Sequence, residues 1–364
     1  MLGFSRLQLY VLRHVIVWIV TFLLVFASME LLIDFVSISR DIGGRVDITP
    51  AAVARLTLMK SPAVLLVLAP FVFLGGALAA YVTLNRRSEL TAMRAAGVSA
   101  WRFIFPAAAT AFVCGVLSTV IVNPAASRLN ARYETERENY MRDYLPGAAP
   151  KDIWLREGRG RGQVVVHARS RTDVALKDVS AFFYQVDDQG VPQFRQRVEA
   201  KEARFDPEGL VLIDVKSARP GGFEEHSDRL TLPALFRDPS VMLRAGAADQ
   251  ISFWDLPGQI KRARDAGLTS TAYRIQFQQL IAAPVLYAAM AVLAAAFSLR
   301  LMRLGGLAGM AGSGVAIGFA FFFFNALCGA LGRSGVIPTY AAAWAPPMLA
   351  LLSGLSLLCY TEDG

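Results

Sequence analysis

Charge is scarce in this sequence. Asp, Glu, Lys and Arg supply 18% of its 364 residues, whereas hydrophobic types supply 54% and the mean hydropathy is +0.42. A water-soluble domain ordinarily carries about 25% charge, so a cytosolic enzyme and a disordered chain are both excluded. Histidine and cysteine are rarer still, with three of each. Cys114, Cys328 and Cys359 all lie in apolar runs, without CxxC spacing or a disulfide framework. They read as small buried hydrophobes. His14, His167 and His226 stand far apart, and neither HExxH nor G-x-S-x-G occurs. The phosphate-cradling pattern G-x-x-x-x-G-K-[ST] is missing as well. The chain therefore offers no catalytic set, no metal site and no cofactor pocket of its own.

Long apolar runs are what it has. A bilayer span needs about 20 apolar residues, and six stretches qualify: Val15–Val36, Ala63–Leu84, Phe103–Val122, Ile275–Leu299, Leu307–Leu331 and Ala341–Tyr360. The first is too long for a cleaved signal peptide and has no small-residue cleavage site after it. The expected class is a polytopic α-helical membrane protein of six transmembrane helices. Its expected parts are residues 1–125 with spans one to three, 126–268 as an inserted all-β domain with flanking helices, and 269–364 with spans four to six.

The charge is unevenly placed. Residues 131–265 hold 22 basic and 22 acidic side chains, and the rest of the chain holds 15 and 7. The insert is thus neutral and the +8 excess lies in the apolar flanks. A nucleic-acid binder places its basic patch on the soluble part, so no nucleic-acid partner is expected. Three spans on each side of the insert put both termini on one side of the membrane. The positive-inside rule separates the sides weakly, since eight basic residues on the terminal side face seven on the other.

Gln163–Ala168, Val179–Val186, Val198–Phe205 and Gly209–Val215 alternate partly with period 2 and read as strands of a sandwich or jelly roll. Asp187–Gly190, Asp206–Gly209 and Pro220–Gly222 read as the turns between them, and Gly158–Gly162 as a hairpin loop. Pro124–Arg142 reads as a helix continuing the third span. Ser252–Ala266 reads as a helix opened by a loose capping box. Gly305/Gly309 and Gly314/Gly318 have the small-xxx-small spacing of close helix packing.

The strongest functional signal follows the second span. Ser88 is placed to cap a short helix running to Ala96, with Gly97 as a left-handed stop. Leu90, Met93 and Ala96 make one apolar stripe, and Glu89 sits in the first turn, where the helix dipole favours an anion. Such a segment is either an interfacial loop or a knob that docks into a partner. The pattern Ser88-Glu89-Leu90-x-x-Met93-x-Ala95-x-Gly97-x-Ser99, after a span bearing Pro70 and Gly76, resembles the LptF/LptG permease family of the bacterial lipopolysaccharide-export ABC transporter. The resemblance covers essentially the whole chain. Ile33–Gly44, Asp152–Gly158, Ala272–Phe277 and Gly335–Pro338 are more similar to LptG than to LptF.

The resemblance implies a permease subunit in the inner membrane, paired with an LptF-like subunit on an LptB-like ATPase dimer that binds ATP and Mg. It implies a periplasmic jelly-roll-like domain meeting LptC-like and LptA-like proteins, and lipopolysaccharide as cargo. Ser88, Glu89, Leu90, Met93, Arg94 and Gly97 would then couple the chain to the ATPase. Arg40, Arg128, Arg132 and Arg274 would hold lipid phosphates, which guanidinium groups bind bidentately. The alternative for each is ordinary snorkelling. Asp34 and Asp41 stand where basic residues are expected, and an arginine of a neighbouring subunit is one partner open to Asp34. Phe22, Phe26, Phe35 and Phe319–Phe324, Phe321 among them, would wall a lipid cavity, although Phe321–Phe324 suits a lipid-facing position equally. The competing reading is a membrane-anchored periplasmic sensor or assembly protein.

Overall fold

A computed structural model of the chain describes residues 6–43, 48–144, 153–159, 162–171, 175–186, 192–206, 209–219, 224–233, 251–265, 270–301 and 307–362. The turn residues 187–190, 207–208 and 220–222, together with Gly160, Arg161, Gly305 and Ala266, lie outside them. The chain divides into two units. One comprises residues 1–144, 249–256 and 271–364, and the other residues 145–248 and 257–270.

The first unit is helical: α1 (Arg6–Gly43), α2 (Pro50–Arg86), α3 (Glu89–Ala95), α4 (Ala100–Leu117), a π turn (Ser118–Val122) and α5 (Asn123–Tyr144). The second unit contributes β1 to β6 and α6 (Leu256–Asp265), after which the first resumes with α7 (Thr271–Leu301), α8 (Leu307–Arg333) and α9 (Thr339–Glu362). Six of the described helices are long and apolar enough to cross a membrane. They correspond to the six expected spans and extend past several of them, because polar first and last turns carry no hydropathy signal.

Thr49 caps α2, accepting the Ala52 amide, with Pro50 in the first helical position. α7 is the central helix of the bundle. Its apolar window is 61% buried, against 6% for α1. α7 packs alanine-rich turns, Ala289 to Ala296, against α2, α4 and α9, because small residues let backbones approach closely where water supplies no driving force. Asn85 on α2 donates to the Ser298 carbonyl on α7, and Gln8 on α1 donates to the Arg102 carbonyl on α4. These bonds place the start of α1, the end of α2, α3 and the end of α7 at one end of the bundle. The opposite end is closed by Ile38, Ile42, Val53, Leu56 and Tyr133.

At that opposite end the π turn joins α4 to α5. The Thr119 hydroxyl donates to the Leu280 carbonyl at 2.9 Å. The returning segment 251–255 fastens here. The Phe253 amide donates to Asn123 Oδ1 at 2.8 Å, and Trp254 Nε1 donates to the Val120 carbonyl at 3.2 Å. The Phe253 ring also stacks on Phe277. The expected helix from Ser252 therefore begins four residues later, at Leu256, because Ser252–Asp255 is spent on this turn.

In the second unit, β1 (Ile153–Arg159), β2 (Gly162–Arg171), β3 (Ala175–Val186), β4 (Pro192–Asp206), β5 (Gly209–Ala218) and β6 (Glu225–Pro233) form one antiparallel sheet in sequence order. β1 and β2 pair up to Arg159 and Gly162, which makes the 158–162 segment a hairpin. The described strands follow the chain without the crossovers of two Greek keys. Even so, the sheet buries one continuous cluster. Its inward positions alternate and then slip phase, from Leu176 to Val179, from Ala200 to Ala203 and from Leu212 to Val215. Asp178 and Asp214 sit at the slips with φ of 49° and 56°. The slips let both halves of the sheet turn apolar side chains inward, so a single sheet curls around its own core. On the outer surface Lys201 pairs with Asp214 and holds that carboxyl below the usual carboxylate range.

Candidate functional site

The α2–α3–α4 corner is built by backbone hydrogen bonds. The Gly97 amide bonds the Arg94 carbonyl and the Val98 amide bonds the Met93 carbonyl, at 2.9 and 3.0 Å. This is a Schellman stop, with Gly97 at φ 79°. Met93 and Val98 both pack against the bundle core and Leu90 is 1% exposed within it.

Two expectations change here. Ser88 does not cap α3. It takes a left-handed φ of 56° and its side chain makes no capping hydrogen bond. The capping serine of this corner is Ser99, whose Oγ accepts the Trp101 amide at the start of α4. The stripe is also redirected, since Leu90 and Met93 face the chain's own core while Ala96 is exposed. The side left outward carries Thr91, Ala92, Arg94 and Ala95. Because a left-handed serine is strained and a glycine is not, Ser88→Gly should stabilise the protein by about 0.5–1 kcal/mol. Ser88→Ala should give no loss of a cap. Thermal unfolding of the two variants checks both.

Glu89 sits beside this wedge. Its carboxylate lies 4.0 Å from the Arg87 guanidinium, with Tyr10 of α1 as an electrostatic neighbour. Tyr10 was not anticipated from sequence, since nothing in the first turns of α1 marks it.

A second feature is an apolar cavity of about 710 Å³ walled by α1, α2 and α8. Trp18, Phe22 and Phe26 line it from α1, Val67, Phe71 and Leu78 from α2, and Gly314, Gly318, Phe319 and Phe322 from α8, with Arg86 the one charged lining residue among the described residues. Glycine lets its walls meet at their seams. A Cβ on Gly314 would stand 2.4 Å from Leu78 Cδ2, and one on Gly75 would stand 2.4 Å from Phe22 Cε1. Phe22 and Phe26 line this cavity. Phe35 packs with Ile38, Ile42 and Leu56, and Phe321 packs against the bundle core. Of the expected 319–324 run, α8 turns Phe319 and Phe322, three residues apart, to the cavity side.

The four expected phosphate ligands are exposed and stand on three helices: Arg40 in the last turn of α1, Arg128 and Arg132 one turn apart on α5, and Arg274 in the first turn of α7. Asp34 takes a partner within its own chain, Lys60 Nζ at 2.9 Å, rather than an arginine of a neighbouring subunit. Glu30, Lys60 and Ser61 form a polar cluster around it that sequence reasoning passed over. The available signal was Glu30 and Asp34 at i, i+4 inside an apolar run.

In comparison with known families, the description "Lipopolysaccharide export system permease LptF/LptG" matches residues 9–360. No curated protein matches the chain.

Proposed function

The chain belongs to the LptF/LptG permease family, and from that premise we propose that it is the LptG-like half of a lipopolysaccharide extractor in the bacterial inner membrane. An LptB-like ATPase dimer supplies the nucleotide chemistry, with its own ATP and Mg. An LptF-like permease completes the heterodimer. The sheet lies in the periplasm and hands lipid to LptC-like and LptA-like proteins.

The observation that carries this reading is the apolar cavity between α1, α2 and α8. At about 710 Å³ it falls in the range that encloses one drug-sized ligand, which is too little for a lipid with six acyl chains. A second wall is needed, and α1 supplies a surface for it. Leu24, Leu32 and Ile33 are 64%, 67% and 57% exposed on that helix. An LptF-like partner facing α1 encloses a larger slot, and Arg40, Arg128, Arg132 and Arg274 at its outer end meet the lipid phosphates.

The chain's own contribution is mechanical. The α3 wedge is bolted to the core by Leu90 and Met93, so a push on its outer side moves the ends of α2 and α4. Purification of the tagged chain from its native membrane tests the assembly. An ATPase and a second six-span protein should accompany it in fixed ratio, and a chain that comes alone from gently solubilised membranes refutes the proposal.

A further inference from the structure

We infer that the seam between α1 and α2 holds a proton-binding site, in which Glu30 and Asp34 share one proton. The two residues stand one turn apart on α1 and are 5% and 8% exposed. Ionisable groups inside a span are rare and mark functional sites unless something compensates them. α2 supplies part of the compensation. Ser61 Oγ donates to Glu30 Oε2 at 2.7 Å, and Lys60 Nζ donates to Asp34 Oδ1 at 3.0 Å. The one ammonium is thus bound to Asp34, and Glu30 is met by a neutral hydroxyl.

Asp34 Oδ2 also lies against the ammonium, 2.9 Å from Lys60 Nζ, whereas Glu30 Oε1 is sealed from solvent and receives no donor among the described residues. The two carboxyls, at i and i+4, share one face of α1. Ionised carboxylates only accept, whereas a protonated one also donates, so a proton on Glu30 Oε1 gives that sealed atom a donor role toward the Asp34 carboxylate. Like-charged carboxyls that share a site behave in this way, titrating as a pair.

The surrounding groups leave the charge count unaltered. From α5, Tyr133 packs into the same α1–α2 seam, and Glu134 pairs with Arg137 one turn further on. Arg55 and Glu136 neutralise each other further along α2 and α5. With the proton bound the cluster is neutral. Without it, two negative charges one turn apart oppose a single ammonium, and the repulsion acts on the seam that fastens α1 to α2. The inference needs α1 and α2 to span a membrane and does not depend on lipid being the cargo.

The test is infrared spectroscopy of the full chain in lipid nanodiscs in D₂O, read in the carbonyl region of protonated carboxylic acids. The expected result is a band at neutral pH that disappears in Glu30→Gln. In Asp34→Asn, where an amide replaces the charged acceptor, the band should shift or vanish. Should Glu30→Gln fail to fold, Asp34→Asn decides. No such band in the unmodified chain at neutral pH, or a band unchanged in the folded variants, overturns the assignment.

Discussion

Glu89→Ala should leave the assembled transporter hydrolysing ATP while lipid release falls by roughly ten- to a hundredfold, the equivalent of one charge-assisted hydrogen bond of about 1.5–3 kcal/mol. The expectation follows from what Glu89 does and does not touch. Within the chain it meets Tyr10 and Arg87 at the surface, so its removal costs the fold little. The wedge around it stays in place because Leu90 and Met93, not Glu89, fasten α3 to the core. What is lost is the acidic contact offered to the motor. Parallel measurement of ATP turnover and lipid release in proteoliposomes separates coupling from assembly. Glu89→Gln should fall between the two, since it keeps the shape and loses the charge. Full export by Glu89→Ala would end the coupling role.

Gly115→Val should be among the most damaging single small-to-large changes in the bundle. A Cβ on Gly115 would stand 2.5 Å from Pro284 Cα and 3.0 Å from its nitrogen. These are backbone atoms, which no rotamer change can move aside. α7 cannot yield either, being the most buried of the candidate spans. Alanine should therefore cost about 1–3 kcal/mol, the usual range for overpacking, and valine more. Gly258→Ala is the control. It lies in α6 with nothing within 4 Å of its Cβ position, so the exchange should be neutral or stabilise by up to about 1 kcal/mol. Thermal unfolding in detergent should rank the variants Gly258→Ala, Gly115→Ala, Gly115→Val in falling order. A Gly115→Val protein that melts with the parent would contradict the α4–α7 packing.

The sequence announced the spans because hydropathy over some twenty residues averages out local detail. It announced Gly97 because a Schellman stop needs a left-handed residue. It misdirected the reading of Ser88, since a serine before an apolar run looks like a cap whether or not its backbone permits one. β1 and β6 went unseen because they are the edges of the sheet. Edge strands carry charge, as in Ile153–Arg159 and Glu225–Pro233, and charge erases the alternation. The inner strands showed only partial alternation for a different reason. The phase slips at Asp178 and Asp214 are tertiary events without a local signature.

The cavity residues illustrate the same limit. Four consecutive phenylalanines, 321–324, have no periodicity to read, and only the rotation of α8 about its axis decides that Phe322 lines the cavity while Phe323 is 66% exposed away from it. The buried polar cluster was missed because Asp34 read as a departure from an expected basic pattern and Glu30, one turn before it, was passed over. Their partners on α2 lie 26 and 31 residues away in the chain.

The account turns on where the lipid travels. A photo-crosslinking phenylalanine analogue placed in turn at positions 22, 322 and 323, in membranes turning over ATP, reads this directly. Lipopolysaccharide should label positions 22 and 322 and pass over 323. Equal labelling at all three positions, or labelling at 323 alone, would mean that the space between α1, α2 and α8 is not the route.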